Sequence, residues 1–142
     1  MNRNGLKVEG VFNRKCDSTL LIWSGVLGAS AVALGAWSAH GLDASHGRRA
    51  AELVDTAVRY QLAHALAASL SVALAWARPN RLLSIAGWLF LIGAALFCGA
   101  LHLLAFGAPR WLGMAAPLGG LALTAGWLAL ALGGWQIRRS AD

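Results

Sequence analysis

Twenty-one consecutive residues, Thr19 to Ala39, carry no charge. At 1.5 Å rise per residue such a run makes a helix about 31 Å long, enough to cross the hydrocarbon core of a bilayer. The pattern recurs. Gln61 to Ala77, Leu82 to Phe106 and Trp111 to Gln136 also lack Asp, Glu, Lys and Arg, and polar turns separate them. A signal peptide would have a shorter apolar core followed by a small-residue cleavage site, so the first run reads as a retained helix. The chain is 142 residues long, 58% hydrophobic and only 13% charged. Soluble domains are about 25% charged, and each amphipathic helix of a soluble bundle needs a polar face that this chain cannot supply. The composition argues against a soluble enzyme. It also excludes a disordered chain, which requires low hydrophobicity and high charge.

These runs predict an all-α fold: a four-transmembrane-helix bundle with an amphipathic segment between helices 1 and 2. Residues 1–18 read as a polar, basic N-terminal tail, of the kind that frays unless something ties it down. Residues 19–142 form the membrane domain, with spans at about 19–41, 58–77, 82–106 and 111–136. Between the first two spans, Arg48, Glu52, Asp55 and Arg59 recur every three or four residues and share one helical face, while Ala50, Leu53, Val54 and Ala57 face the other way. Arg48/Glu52 and Asp55/Arg59 are opposite-charge pairs four apart, and such a helix lies at an interface or leads into a span. Pro79-Asn80 marks a tight turn. Pro117 leaves two starts open for the last helix: Trp111, with a kink at the proline, or Pro117 itself as the first helical residue.

The formal net charge is +6, but the basic residues sit in short groups between apolar runs, and no nucleic-acid surface is expected. Four spans place both termini on one side. That side carries Arg3, Lys7, Arg14, Lys15, Arg78, Arg81, Arg138 and Arg139, against Arg48, Arg49, Arg59 and Arg110 on the other. The excess of Lys and Arg predicts a multi-pass protein with both termini in the cytoplasm. Trp23, Trp76, Trp111 and Trp135 fall near span ends, where aromatic belts form. Cys16 and Cys98 are too far apart in this layout to bridge, and Cys98 reads as a small packing residue.

Lipid gives helices no hydrophobic reason to associate, so close backbone contact matters. Gly119, Ala122, Gly126, Ala129 and Gly133 make one small-residue face along the last run, and Gly25, Ala29 and Ala33, continued by Ala36, make another along the first. Both read as helix–helix seams, within the chain or between copies in a homo-oligomer. The polar candidates gather at the non-cytoplasmic end: His40, Glu52, Asp55, Arg59, Tyr60, His64 and His102. Ionisable groups near spans are functional candidates by default. They also hold bundles together through interhelical hydrogen bonds, which is the simpler reading. His46 reads as solvated. No two histidines have close metal-ligand spacing, no catalytic triad or phosphate loop is present, and no acidic residue lies inside an expected span. No catalytic residue, metal centre or cofactor is expected. The sequence leads to a non-enzymatic membrane protein whose polar patch packs the bundle or binds a membrane-protein partner. The alternatives are a metal-, haem- or small-ligand-binding protein using His40 and His64, with His102 as a third ligand, and a small transporter or channel. The last would call for a buried carboxylate or a polar stripe through the full depth of two helices.

Several stretches carry a resemblance. Gly35-Ala36-Trp37-Ser38-Ala39-His40-Gly41-Leu42 resembles the motif that closes the first helix of the domain-of-unknown-function 423 family, which is related to the eukaryotic transmembrane protein 256. Ala57-Val58-Arg59-Tyr60-Gln61-Leu62-Ala63-His64-Ala65-Leu66 is similar to its second signature, Ala86-Gly87-Trp88-Leu89-Phe90 to the opening of its third, and Pro117-Leu118-Gly119-Gly120 with Gly126-Trp127 to its fourth. The blocks run in the family's order from about Gly25 to Leu132. Where the family has Ser-Gly-Ser-Leu-Tyr this chain has Cys98-Gly99-Ala100-Leu101-His102, and Trp37-Ser38 stands for the family's Phe-Gly. His102 is therefore not a family feature, and the motif-matched polar set is His40, Arg59, Tyr60 and His64. The polar lead is longer than the family's. The resemblance implies a four-helix integral protein of the bacterial inner membrane and implies no activity.

Overall fold

A computed structural model describes residues 3–139, with side chains from Lys15 onward except at Gly41, Asp43 and Ala44. In chain order the helices are α1 (Arg3–Trp37), α2 (Asp43–His46), α3 (Arg48–Ala77), α4 (Arg81–Ala105) and α5 (Ala115–Arg139). The described residues contain no strand. Four of the helices are long and α2 is a single turn.

The basic lead departs from expectation. Met1 and Asn2 lie outside the described residues, but helix begins at Arg3 and runs unbroken into the first apolar run. Asp17 and Leu20 are both fully buried, so the last turn of the lead packs against the bundle.

At the other end of α1 the chain changes pitch. Ser38–Leu42 is a five-residue π-helical segment, a form that occurs mostly as single turns inserted at the end of or within α-helices. The link between the first two apolar runs is broken into two helices. Gly47, with φ +82°, separates α2 from α3, and only glycine takes that conformation without steric cost. From Arg48 the amphipathic turns and the second apolar run form one continuous helix.

Asn80 stops the next turn and starts α4 by accepting from the Leu82 N–H at 2.8 Å, the usual device for satisfying a helix's first free donors. Gly107 (φ +83°) closes α4. The chain then makes a 3-10 turn over Arg110–Met114 and enters α5 at Ala115. Pro117 therefore lies in the first turn of α5, where its missing N–H would have had no helical acceptor anyway. Neither start read from the sequence is the observed one. The 3-10 turn absorbs Trp111, and no kink is needed.

Neighbours in sequence are neighbours in space. α1 packs on α3, α3 on α4, and α4 on α5, with a lighter contact between α1 and α4. The core is built of small side chains: Ala57, Ala67, Ala68, Ala86, Ala94 and Ala129 surround Phe90, Leu20, Val72, Cys98 and Leu123. Large apolar residues point outward instead. Ile22, Val32, Leu66, Leu121 and Leu128 are all more than 60% exposed. A water-soluble domain rarely exposes such a continuous apolar surface, whereas a bilayer solvates it.

Three helical stretches are long and apolar enough to cross a membrane: Lys15–His40, Arg81–Ala105 and Arg110–Arg139. α3 is not among them. Its first twelve residues carry three arginines, a glutamate and an aspartate, and Gln61 and His64 follow. It is also the helix wedged between α1 and α4, with eleven buried residues. A helix screened from lipid on two sides needs less apolar surface than one that faces it.

Candidate functional site

The loops define two ends of the bundle. The Arg78 end holds the α3–α4 turn, the last turn of α5 and residues 15–17 of α1. The Gly47 end holds the π-helical segment, α2, the start of α3 and the end of α4.

The seven polar candidates do not form one site. Arg48, Glu52, Asp55 and Arg59 occupy one exposed face of α3. Arg48 Nε lies 3.6 Å from Glu52 Oε1, and Arg59 Nη2 lies 2.7 Å from Asp55 Oδ2. All four side chains are more than half exposed, so these pairs contribute little stability. Beside them an open cleft of about 310 Å³ is lined by Gly35, Ser38 and Ala39 of α1 and its π-helical extension, and by Arg48, Ala51, Glu52 and Asp55 of α3. His40 is exposed within the π-helical segment. His46 is exposed too, but it is more than solvated. Its ring lies edge-on to Trp37 and Phe106, at 6.1 and 5.5 Å, and its Nδ1 is 2.8 Å from Ser45 Oγ.

His64 lies deeper than the sequence suggests. It is 7% exposed and stands between α3 and the middle of α5. Its Nδ1 is 2.7 Å from the Tyr60 carbonyl, and its Nε2 is 3.3 Å from Trp127 Nε1. A carbonyl only accepts and an indole N–H only donates. The imidazole therefore donates from Nδ1 to Tyr60 and accepts at Nε2 from Trp127. Tyr60 stacks on it at 5.8 Å, and Phe90 and Trp127 pack around it at 5.7 and 6.1 Å. Tyr60 also meets Phe97 at 4.8 Å. The second, third and fourth motif blocks thus converge on one aromatic cluster: Tyr60 and His64 from the second, Phe90 from the third, Trp127 from the fourth.

This geometry counts against a histidine ligand set. Both nitrogens of His64 are engaged within the chain, and His40 lies exposed at the Gly47 end. His102 Nε2 is buried with no hydrogen-bond partner among the described residues. Among those residues no three His, Cys, Asp or Glu side chains are grouped to hold a metal ion.

The small-residue faces divide as well. On α5, Gly119, Gly126, Ala129 and Gly133 are buried and Ala122 is half-buried. A Cβ added at Gly119, Gly126 or Gly133 would run into Phe97, Phe90 or Leu83 of α4. On α1, Gly25, Ala29 and Ala33 are exposed, and α1 meets α3 through a different face. Gly28 faces Ala65 and Gly35 faces Val58. The within-chain seam of α1 is therefore displaced from the stripe read in the sequence, because the helix turns Leu20, Ser24 and Ala31 inward.

Several bundle-holding residues escaped the sequence reading. Gln61 Nε2 donates to the Leu27 carbonyl at 3.0 Å and to Ser30 Oγ at 2.7 Å, tying α3 to α1. Asp17, assigned to the lead, is 1% exposed and accepts from Ser84 Oγ at 2.9 Å, tying α1 to α4. A buried carboxylate thus exists at the Arg78 end, where none was expected. Asn80 Nδ2 donates to Gln136 Oε1 at 3.1 Å and approaches the Gly133 carbonyl at 3.4 Å, tying the α3–α4 turn to α5. With His64–Trp127, each is an interhelical hydrogen bond of the kind that organises helices in lipid. Gln61 and Trp127 sit inside recognisable motif blocks. Nothing local distinguishes Asp17, and the turn signal at Asn80 does not reveal its tie to α5.

Comparison with known proteins places the chain among membrane proteins. The family model described as "Protein of unknown function (DUF423)" matches residues 34–120. The UPF0382 membrane protein of Haemophilus influenzae is 41% identical over 107 residues, which cover 74% of this chain and 84% of that protein. The UPF0382 inner membrane protein YgdD of Escherichia coli K12 is 33% identical over 121 residues, covering 84% and 92%. A UPF0382 membrane protein of Staphylococcus haemolyticus is 35% identical over 99 residues, covering 70% and 80%. No solved structure matches.

Proposed function

The chain belongs to the DUF423 family of membrane proteins of unknown function, and from that premise we propose a non-enzymatic, four-span inner-membrane bundle with both termini in the cytoplasm that docks a membrane-protein partner at its Gly47 end. The observation that carries the docking is the charged face of α3 beside the open cleft. Arg48, Glu52, Asp55 and Arg59 are exposed, and among the described residues their ion pairs are with one another. Arg48, Glu52 and Asp55 line a cleft whose other lining residues, Gly35, Ser38, Ala39 and Ala51, are small. Small walls admit a partner's backbone, and a rim of both charge signs selects a partner by electrostatic complementarity. By contrast, the deep polar cluster spends its donors and acceptors on Tyr60 and Trp127, which suits a packing role. Cys98 is buried among apolar neighbours in the core, a setting that supports packing over nucleophilic chemistry.

The four-span part rests on α3. With α3 crossing, the Arg78 end, which carries Lys15, Arg78, Arg81, Arg138 and Arg139, is the face that the positive-inside rule assigns to the cytoplasm.

Photo-crosslinking in native membranes tests the docking. A photoreactive residue in place of Ala51, within the cleft, is expected to give a discrete higher-mass adduct with another membrane protein. The same residue in place of Ala131, on the exposed face of α5, gives none. Equal adducts from both positions, or none from Ala51, would contradict the proposal.

A further inference from the structure

The Arg78 end bears a cationic rim with no exposed acid among the residues whose side chains are described. Lys15, Arg78, Arg81, Arg138 and Arg139 are all exposed there. Both ion pairs of the described residues lie at the opposite end. The one described carboxylate nearby, Asp17, is turned inward onto Ser84 and is 1% exposed. The fold therefore turns this carboxylate away from the surface and leaves these five cations on it.

The rim is also assembled from separate parts of the chain. Asn80 bonds Gln136 at 3.1 Å, which brings the Arg78–Arg81 turn beside the last turn of α5. Arg81 follows Asn80 directly, and Arg139 is three residues from Gln136. Two pairs of guanidiniums from elements more than fifty residues apart thus flank one hydrogen bond. Arg139 lies over the Trp135 ring, 4.1 Å from its centroid, and Trp76, Trp135 and Leu132 are exposed beneath the rim. The arrangement is charged above and apolar below.

We propose that this rim is a binding site for an anionic phospholipid headgroup bearing two phosphates, with the acyl chains lying along the exposed tryptophan and leucine surface. The choice of arginine supports it. A planar guanidinium meets a phosphate through two parallel N–H donors, whereas an ammonium acts as a point charge. Two arginine pairs match two phosphates. Basic clusters between helices at the membrane surface bind such headgroups, and each Lys or Arg contributes about fivefold in affinity, the equivalent of about 1 kcal/mol. The inference needs only that the chain sits in a membrane and is independent of the docking proposed for the other end.

Native mass spectrometry of the delipidated full chain, titrated with cardiolipin in nonionic detergent, tests it. The unaltered protein should retain cardiolipin over phosphatidylethanolamine. The double variant Arg78→Gln/Arg138→Gln should bind it about 25-fold more weakly, at roughly fivefold for each lost guanidinium. The double variant Arg49→Gln/Arg110→Gln, at the Gly47 end, should bind as the parent does. Equal weakening in both variants, or equal retention of the zwitterionic lipid, would overturn the proposal. Displacement of cardiolipin by an equal concentration of inorganic pyrophosphate would replace the lipid by a soluble phosphate ligand and overturn it too. Circular dichroism checks that the first variant is folded. If it is not, salt titration of the unaltered protein decides: cardiolipin retention must fall as ionic strength rises, and salt-insensitive retention rejects a phosphate contact.

Discussion

Gly119→Ala is expected to lower the thermal midpoint of the detergent-solubilised protein sharply, while Gly120→Ala leaves it unchanged or raises it. The two glycines are adjacent on α5 but face different surroundings. A Cβ at position 119 would lie 2.5 Å from the Phe97 amide nitrogen and 2.8 Å from the Gly93 carbonyl oxygen. Both atoms belong to the α4 backbone, so no side-chain rotation relieves the clash. The opposite contact is as tight: a Cβ at Gly93 would lie 2.9 Å from the Leu123 amide nitrogen and 3.0 Å from the Gly119 carbonyl oxygen. α4 and α5 would have to separate along their whole seam. We expect a cost of about 3 kcal/mol, at the upper end of typical overpacking penalties. Position 120 has nothing within 4 Å, and alanine there gains up to about 1 kcal/mol of helix propensity over glycine. Equal midpoints for the two variants would show that α4 and α5 are not in backbone contact.

The second large effect is at the centre of the aromatic cluster. Phe90 is the largest fully buried side chain among the described residues. It packs against His64 at 5.7 Å and Trp127 at 5.0 Å, and its ring atoms lie where a Cβ on Gly126 would fall. Phe90→Ala removes the ring that fills the space between α3, α4 and α5. Large-to-small changes of this kind cost about 3–5 kcal/mol, because the surroundings collapse only in part. The variant should lose more of its thermal midpoint than Phe106→Ala, whose ring is 42% exposed. A larger loss from Phe106→Ala would place the packing centre at the Gly47 end instead.

The apolar runs made the helices legible, because a helix in lipid must satisfy its own backbone and face hydrocarbon over a fixed length. They said less about order within the bundle. α3 is the least apolar of the four long helices and among the most enclosed, a combination that follows from its neighbours rather than its composition. The three- and four-residue spacing rule marks Gly119, Gly126 and Gly133 on α5, and a Cβ at each would meet α4. The same rule applied to α1 marked Gly25, Ala29 and Ala33, which the fold leaves exposed. In an alanine-rich helix many faces are small, and only the partner selects among them. The histidines illustrate a further limit. Helix position alone grouped His40, His64 and His102, but rotation about each axis decides what a side chain meets. His64 turns toward Trp127 of α5, a contact 63 residues distant in sequence. Asp17 was read with the lead because it precedes the uncharged run, and its burial depends on Ser84, 67 residues away.

Sidedness tests the account most directly, because four crossings require α3 to span. A membrane-impermeant thiol reagent applied to spheroplasts reads it, using native Cys16, which is exposed, and single cysteines introduced as Pro79→Cys, Ala108→Cys and Arg139→Cys in a chain lacking both native thiols. Position 108 should react from outside, while positions 16, 79 and 139 should react only after the membrane is permeabilised. Positions 16 and 139 on opposite sides, with position 79 reactive from outside, would mean that α3 does not cross.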